Sequence, residues 1–354
     1  MLKDTIRKES FKEKETIVEE KPIFPIIDLH CDLLSYLTYY NGATPYREDE
    51  IGCAYPFLQK GGVKFQVMAI YTAVEPDSVN DAYRQSEAYV ELLDEDDSPF
   101  VHIDNFKKLQ EVLNLSSNKV GVITAIESAS GFCNETEPID KAFENLDALM
   151  ANTGRPLYIS LTHHDLNRFG GGNYSKYGLR RDGEILLNYL HNKKIAIDLS
   201  HTSDALANDI LKYIDKQELD VPIIASHSNF RTIWKHNRNL SDELVKEIIN
   251  RQGLIGINFL RSFINTDHQE ALLRHILYAF EKGADKNICF GADFFCVKHD
   301  AIPERVPYYF FAHENASKYP SILKALEKEG LSKEKLQALS YQNAMNFIKR
   351  LWKE

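Results

Sequence analysis

Eight short runs of apolar, often β-branched residues recur along the chain, separated by longer stretches of helical pattern. They cover residues 26–32, 64–72, 120–127, 156–163, 195–201, 222–227, 254–259 and 288–293. Several are almost unbroken in apolar side chains, as in VGVITAI at 120–126 and IAIDLS at 195–200. Strands buried on both faces read this way, and parallel sheets are built from such strands. The intervening segments, such as 182–194 and 241–253, are amphipathic with a helical period. Strands alternating with helices indicate βαβ units. Eight of them predict an α/β fold, a (β/α)8 TIM-type barrel; the alternative is a doubly wound open sheet. The 354 residues exceed the roughly 250 of a minimal barrel and fall within the range reached with insertions. The expected division is a charged arm over residues 1–22 and one domain over 23–354.

Composition removes several classes of function. A net charge of −10 argues against a nucleic-acid partner or an anionic membrane, both of which attract a basic face. The five cysteines are scattered, with no C-x-x-C pair, so neither a disulfide framework nor a cysteine-based zinc site is expected. The first residues lack the apolar run of a signal peptide, and no window approaches the ~20 apolar residues of a membrane helix. A cytoplasmic protein with no membrane anchor is the expectation.

The informative feature is where polar residues fall. Six of the eight runs finish on potential metal ligands or acid/base groups. They are His30-Cys31-Asp32, Glu127, His163-His164, His201, His227 and Asp293. In a barrel all of these strand ends share one face, where such enzymes keep their active sites. His30 and Asp32, two apart on a strand, project to the same side. A carboxylate buried at Glu127 costs several kcal/mol unless it is paired or binds a metal. Each histidine alone reads equally well as an ordinary hydrogen-bonded residue, and the conjunction decides. Three imidazoles and the carboxylates suffice for two zinc ions and offer no thiolate. Glu127 can bridge two metals, and a water between them would ionise near neutral pH. His163 is then left to stabilise an oxyanion and Asp293 to move protons.

The ordered blocks that carry these residues resemble the membrane (renal) dipeptidases, a family of zinc metallopeptidases within the amidohydrolase-like superfamily. IIDLHCDLL, AIES, LTHHDLNRFG, GLRRDGEILLNYLHNKKIAIDLSH, IIASHSNFR…HNRNLSDE, GLIGINF and GADF each look like a family element, from about residue 26 to about residue 345. The resemblance implies that His30, Asp32 and Glu127 bind one zinc, and Glu127, His201 and His227 the other. It implies that His163 contacts the substrate carbonyl, Arg238 binds the terminal carboxylate and Asp293 handles protons near the substrate amine. The implied reaction is hydrolysis of dipeptides, L-D as well as L-L, by a possible homodimer. The departures are Leu29 and Cys31 around His30, Ser128-Ala129-Ser130 after Glu127, Leu260 after the Asn-Phe pair, and Phe295-Cys296 after Asp-Phe. They surround the pocket and bear on the substrate more than on the reaction. The competing readings are a related amidohydrolase acting on another amide or a lactone, and a catalytically silent metal-binding homologue.

Other polar residues are expected to stay outside the chemistry. Strand alternation would turn His164 to the opposite face. His102, His191, His268, His275, His299 and His313 read as surface or loop residues. His236 could support Arg238, and Asn173, Tyr174 and Tyr177, in the glycine-rich loop at 168–178, read equally well as pocket lining or as a solvated loop.

Overall fold

The computed structural model describes residues 22–298 and 302–352. The expected charged arm, but for Pro22, and His299 lie outside the described residues.

Nine strands form one parallel sheet. In chain order they are β1 Ile26–Cys31, β2 Val63–Tyr71, β3 Phe100–His102, β4 Val120–Glu127, β5 Tyr158–Ser160, β6 Ala196–Asp198, β7 Ile223–Ala225, β8 Leu254–Ile257 and β9 Ile288–Phe290. The order β2-β1-β9-β8-β7-β6-β5-β4 closes on itself through β2 against β4, with Tyr71 opposite Glu127. That ring is an eight-stranded (β/α)8 barrel, as the alternation of patterns predicted. The ninth strand, β3, lies against the first residues of β4, Phe100 opposite Val120, and takes no part in closure. The sequence reading missed it and placed His102 at the surface. Here His102 is a strand residue whose Nδ1 lies 2.7 Å from the Tyr89 hydroxyl.

All eight residues of β4 are buried, which explains its unbroken apolar spelling. Alternation along β1 sends Ile27 and Leu29 into an apolar cluster with Phe65, Val67, Ile123 and the C-terminal helix Asn343–Trp352. The same alternation leaves Asp28 and His30 on the opposite face. At Gly256 and Gly291 on the far side of the barrel, a Cβ would run into the Ser226 carbonyl oxygen, so only glycine permits the close approach there.

The later strands are shorter than expected, only three or four residues each. Their polar ends therefore sit on the turns that follow. One cause is visible at β6, where the Asp198 carboxylate accepts a hydrogen bond from its own chain at Ser200 N, 2.9 Å away. Such a local side-chain bond competes with the ladder and ends the strand. Helices then start close behind: Ser203 caps Asp204–Lys216 and Ser241 caps Asp242–Asn250, each accepting from an N–H three residues on. No described helix is long and apolar enough to cross a membrane.

Candidate metal centre

Six of the residues singled out from the sequence converge at the C-terminal mouth of the barrel. His30 and Glu127 lie within strands, and Asp32 stands directly before the helix Leu33–Tyr39 that follows β1, its side chain making no capping bond. His201, His227 and Asp293 stand just past β6, β7 and β9. His30 Nε2 is 3.4 Å from Glu127 Oε2, 3.7 Å from Asp293 Oδ1 and 4.0 Å from Asp32 Oδ1. Glu127 Oε1 is 3.0 Å from His201 Nε2 and 3.3 Å from His227 Nε2, which are 2.9 Å from each other. His30 and His227 are fully buried, and their rings stack with centroids 3.7 Å apart.

The neighbours fix which nitrogen of each ring faces the cluster. The Tyr158 hydroxyl donates to the Leu29 carbonyl (2.9 Å), so its oxygen accepts from His30 Nδ1–H at 2.7 Å. The Ser226 hydroxyl donates to Asp198 (2.6 Å), so its oxygen accepts from His227 Nδ1–H at 2.7 Å. Both Nε2 lone pairs are thereby aimed into the cluster. His30 Nε2 and Asp32 Oδ1 are buried and have no hydrogen-bond partner. Acceptors crowded together without donors call for a cation. The electrostatics agree. Burial opposes a charge on His30, yet Glu127, then Asp32 and Asp293, raise it to about 10. A proton is drawn in where a larger cation would fit. Burial also opposes ionisation of Glu127, and the three imidazoles around it hold it well below the usual carboxylate range. Burial pushes Asp32 well above that range and Asp293 up to about 6, with the Glu127 charge adding to both. The donor set, imidazole nitrogen and carboxylate oxygen, fits zinc.

Three backbone positions at this mouth are in the left-handed region without being glycine: Ser128 at φ +77°, His201 at φ +66° and Asp293 at φ +65°. Each such residue stores of order 1–3 kcal/mol and persists where surrounding structure enforces it. Asp293 is enforced by Asn258 Nδ2, 2.7 Å from its Oδ2, by its own N–H to the His30 carbonyl (3.2 Å), and by the Tyr309 hydroxyl on its carbonyl. Asn258, fully buried, was not singled out from the sequence; its place in the Asn-Phe element was the available signal.

A cavity of about 440 Å³ opens above the cluster, with Asp32, Glu127, His163, His201 and Asp293 among its lining. His163 packs its ring 4.2 Å from that of His201 and 4.8 Å from that of Tyr71. Arg238 is buried behind the wall and does not line the cavity. Its guanidinium donates to Ser228 Oγ and the His227 carbonyl, both at 2.8 Å, while Nε is buried without a partner.

Two groups of histidines correct the sequence reading. His164 does line the cavity, its ring 4.0 Å from that of His163 and 4.8 Å from that of His201. β5 stops at Ser160, so strand alternation does not govern residue 164. The glycine-rich loop holds it: Asn173 Oδ1 meets its Nδ1 at 2.9 Å, and Tyr174 stacks on it. His275 and His313 are buried, not superficial. His275 accepts from Phe230 N (3.2 Å) and reaches the Ile264 carbonyl (3.0 Å), tying its helix to the loops beside Asn229.

A closed parallel barrel that gathers donor-starved imidazoles and carboxylates at its C-terminal mouth defines a class, the barrel proteins with a buried cation-binding centre. Within that class the chain belongs to the family described as membrane dipeptidase (Peptidase family M19), whose model matches residues 13–353. It is 25% identical over 205 residues to "Dipeptidase tcpJ" of Claviceps purpurea, an alignment covering 55% of this chain and 44% of that protein. It is 26% identical over 209 residues to an uncharacterized dipeptidase of Schizosaccharomyces pombe, covering 56% of this chain and 46% of the other. Those alignments span about half the length of these curated relatives. Among solved structures, a metallopeptidase called dipeptidase AC superposes with a TM-score of 0.78 at 20% identity, over 94% of this chain and 99% of its own. A metallopeptidase from Rhodobacter sphaeroides, liganded with a phosphinate mimic of L-Ala-D-Ala, gives 0.77 at 19% identity, over 93% and 99%. At these identities the superpositions establish the fold.

Proposed function

We propose that this chain is a zinc-dependent dipeptidase with two ions per chain, acting on L-L and L-D dipeptides. The observation that carries the reading is the donor-starved cluster itself: buried His30 Nε2 and Asp32 Oδ1 have no partner, and Tyr158 and Ser226 orient two imidazoles toward it. His30, Asp32 and Glu127 would hold one ion, and Glu127, His201 and His227 the other. The bound ions would supply a hydroxide nucleophile near neutral pH and polarise the scissile carbonyl.

The chain's own residues would do the rest. Burial lowers His163 to about 3, so it is a neutral imidazole whose N–H can meet the developing oxyanion. Asp293, held by Asn258 through Oδ2, keeps Oδ1 toward the cluster; raised to about 6, it can take a proton and return it to the departing amine. Arg238 would bind the substrate's terminal carboxylate through its unpaired Nε–H, which requires the wall that covers it to open on binding.

The test is metal analysis of the purified protein with hydrolysis of L-L and L-D dipeptides, before and after stripping with chelator. Two zinc ions per chain and cleavage that vanishes and returns with zinc are expected. Cleavage unaffected by stripping would overturn the reading.

A further inference from the structure

One side of the cavity is apolar, and the catalytic reading makes no use of it. Leu260, Phe263, Phe295, Cys296, Ile302 and Tyr308 all line it. Apart from the histidines and the carboxylates of the cluster, the charged group in the lining is Arg305, on the exposed turn Pro303–Arg305. Tyr308 brings a hydroxyl, but that oxygen is engaged with the backbone, accepting from Ile302 N at 2.8 Å. Phe295 is half-buried, its ring edge-on to that of Tyr308 at 5.1 Å and 5.8 Å from that of Tyr309. The wall is braced from behind. The Tyr308 carbonyl accepts from Arg261 N at 2.8 Å, at the start of the helical turn Arg261–Ile264, and Trp234 Nε1 donates to the Ser262 carbonyl at 2.9 Å. An apolar surface already held in place costs little further ordering when a ligand packs on it.

Hydrogen bonds fix where this wall stands relative to the chemistry. The Tyr309 hydroxyl donates to the Asp293 carbonyl and accepts from Phe295 N at 3.3 Å. On the other segment, Asn258 Nδ2 holds Asp293 Oδ2 at 2.7 Å while Asn258 Oδ1 accepts from Leu260 N, also at 2.7 Å. The chain segments that position Asp293 therefore also carry Phe295 and Leu260. Asp293 is the proposed proton carrier to the departing amine, and in a dipeptide that nitrogen belongs to the C-terminal residue. The side chain of that residue branches one carbon away from it, so it is the side chain that the wall meets.

We propose that this wall is the subsite for the C-terminal side chain, that the enzyme selects dipeptides whose C-terminal residue is large and apolar, aromatic above all, and that Phe295 is the main residue setting that preference. The proposal rests on the dipeptidase reading. Burying an aromatic ring in place of a methyl group on such a surface is expected to favour the aromatic substrate by roughly 10- to 100-fold.

The experiment compares Gly-Phe, Gly-Ala, Gly-Glu and Phe-Gly as substrates of the zinc-loaded protein and of its Phe295→Ala and Phe295→Leu variants. Binding of free L-phenylalanine and L-alanine to the same proteins is measured by calorimetry. We expect kcat/KM for Gly-Phe to exceed that for Gly-Ala by roughly 10- to 100-fold in the parent. Gly-Glu should be no better than Gly-Ala, since the wall gives a carboxylate no partner. The Phe/Ala ratio should hardly change with salt, because the contact carries no charge. It should fall to within about threefold in Phe295→Ala and keep an intermediate value in Phe295→Leu, which retains apolar area. A parent that prefers Gly-Glu, or that cleaves Gly-Phe and Gly-Ala alike, overturns the proposal whatever the variants do. So does a Phe/Ala ratio that both variants leave intact, or a dependence on Phe295 confined to Phe-Gly. If no dipeptide is cleaved, the dipeptidase reading fails separately. Calorimetry then decides: tighter binding of L-phenylalanine than of L-alanine, lost in Phe295→Ala, supports the apolar subsite, and equal or absent binding of the two removes it.

Discussion

Two sets of buried acids sit at the same end of this barrel, and their surroundings differ sharply. Asp28 and Asp198 lie two and three residues before His30 and His201. Asp198 accepts from Ser200 N, Ser226 N, Ser226 Oγ and Ser160 Oγ, all within 2.9 Å. Asp28 accepts from His30 N at 2.9 Å, from Ala292 N and Gln66 Nε2 at 3.3 Å, and from the Tyr319 hydroxyl. One residue layer above, Asp32, Glu127 and Asp293 face imidazole nitrogens and one another, with Asp32 Oδ1 wholly unpartnered. A buried carboxylate surrounded by donors holds strands together; one surrounded by acceptors waits for a cation. On the proposed reading the lower tier serves folding and the upper tier function, although burial alone does not tell them apart.

That contrast gives opposite expectations for substitutions only a few ångströms apart. The largest effect is expected for Glu127→Gln, which faces both proposed ions. Turnover should fall by roughly 10³-fold or more, because Lewis-acid stabilisation is worth several kcal/mol. Metal content should drop with it. Urea melts of the metal-stripped protein should show a smaller loss than for Asp198→Asn, because the glutamine side chain still accepts from the protonated His30 that Glu127 holds in the absence of ions. A variant that unfolds much more easily would erase the distinction between tiers. Asp293→Asn comes next: it should retain its metal and lose roughly 10²- to 10⁴-fold in kcat, the span of a positioned proton carrier. Near-parental turnover would reassign Asp293 to a purely geometric role.

The lower tier should respond in reverse. Asp198→Asn turns an amide N–H₂ toward serine hydroxyls and backbone N–H groups. It should destabilise the metal-stripped protein by about 3 kcal/mol, the scale for breaking a buried hydrogen-bonded charge. Urea unfolding of stripped Asp198→Asn and stripped Glu127→Gln, side by side, is the direct comparison. Equal midpoints would sink it.

How far the sequence reveals these tiers follows from what each tier is made of. The barrel is legible because both-face burial writes itself into strand composition, and β4 is read to the residue. The upper tier is legible because its residues are chemically loud: His30, Glu127, His201 and Asp293 end apolar runs where a core side chain would ordinarily stand. The lower tier is quiet. Asp198 within IAIDLS resembles a strand residue with an incidental acid, and three of its four hydrogen bonds come from chain segments 28 to 38 positions away. β3 is missed because three residues carry too little period to register. His164 is misjudged because alternation is a rule of strands, and the strand had already ended. Arg238 keeps its neighbourhood but not its exposure, since a sequence does not indicate that its guanidinium is braced by Ser228 and the His227 carbonyl. Arg238→Ala should therefore raise KM for free dipeptides roughly tenfold or more, the scale of a charge-assisted contact. Unchanged KM would mean that the buried guanidinium only braces the wall.

Tyr158 belongs to both tiers and gives the finest test. Its hydroxyl donates downward to the Leu29 carbonyl and accepts from His30 Nδ1–H, so one oxygen serves the backbone and the imidazole together. Removing it in Tyr158→Phe leaves the ring in place and takes away the acceptor that fixes the His30 tautomer. Metal affinity should fall roughly tenfold, the lower end for loss of a residue orienting a ligand. Folding of the stripped protein should weaken by only about 1 kcal/mol. Competition with a chromogenic chelator measures the first, and urea midpoints the second. A large stability loss with unchanged affinity would place Tyr158 wholly among the folding contacts. The reverse result would mean that the orientation of His30 is set by its hydrogen bond and not by the packing around it.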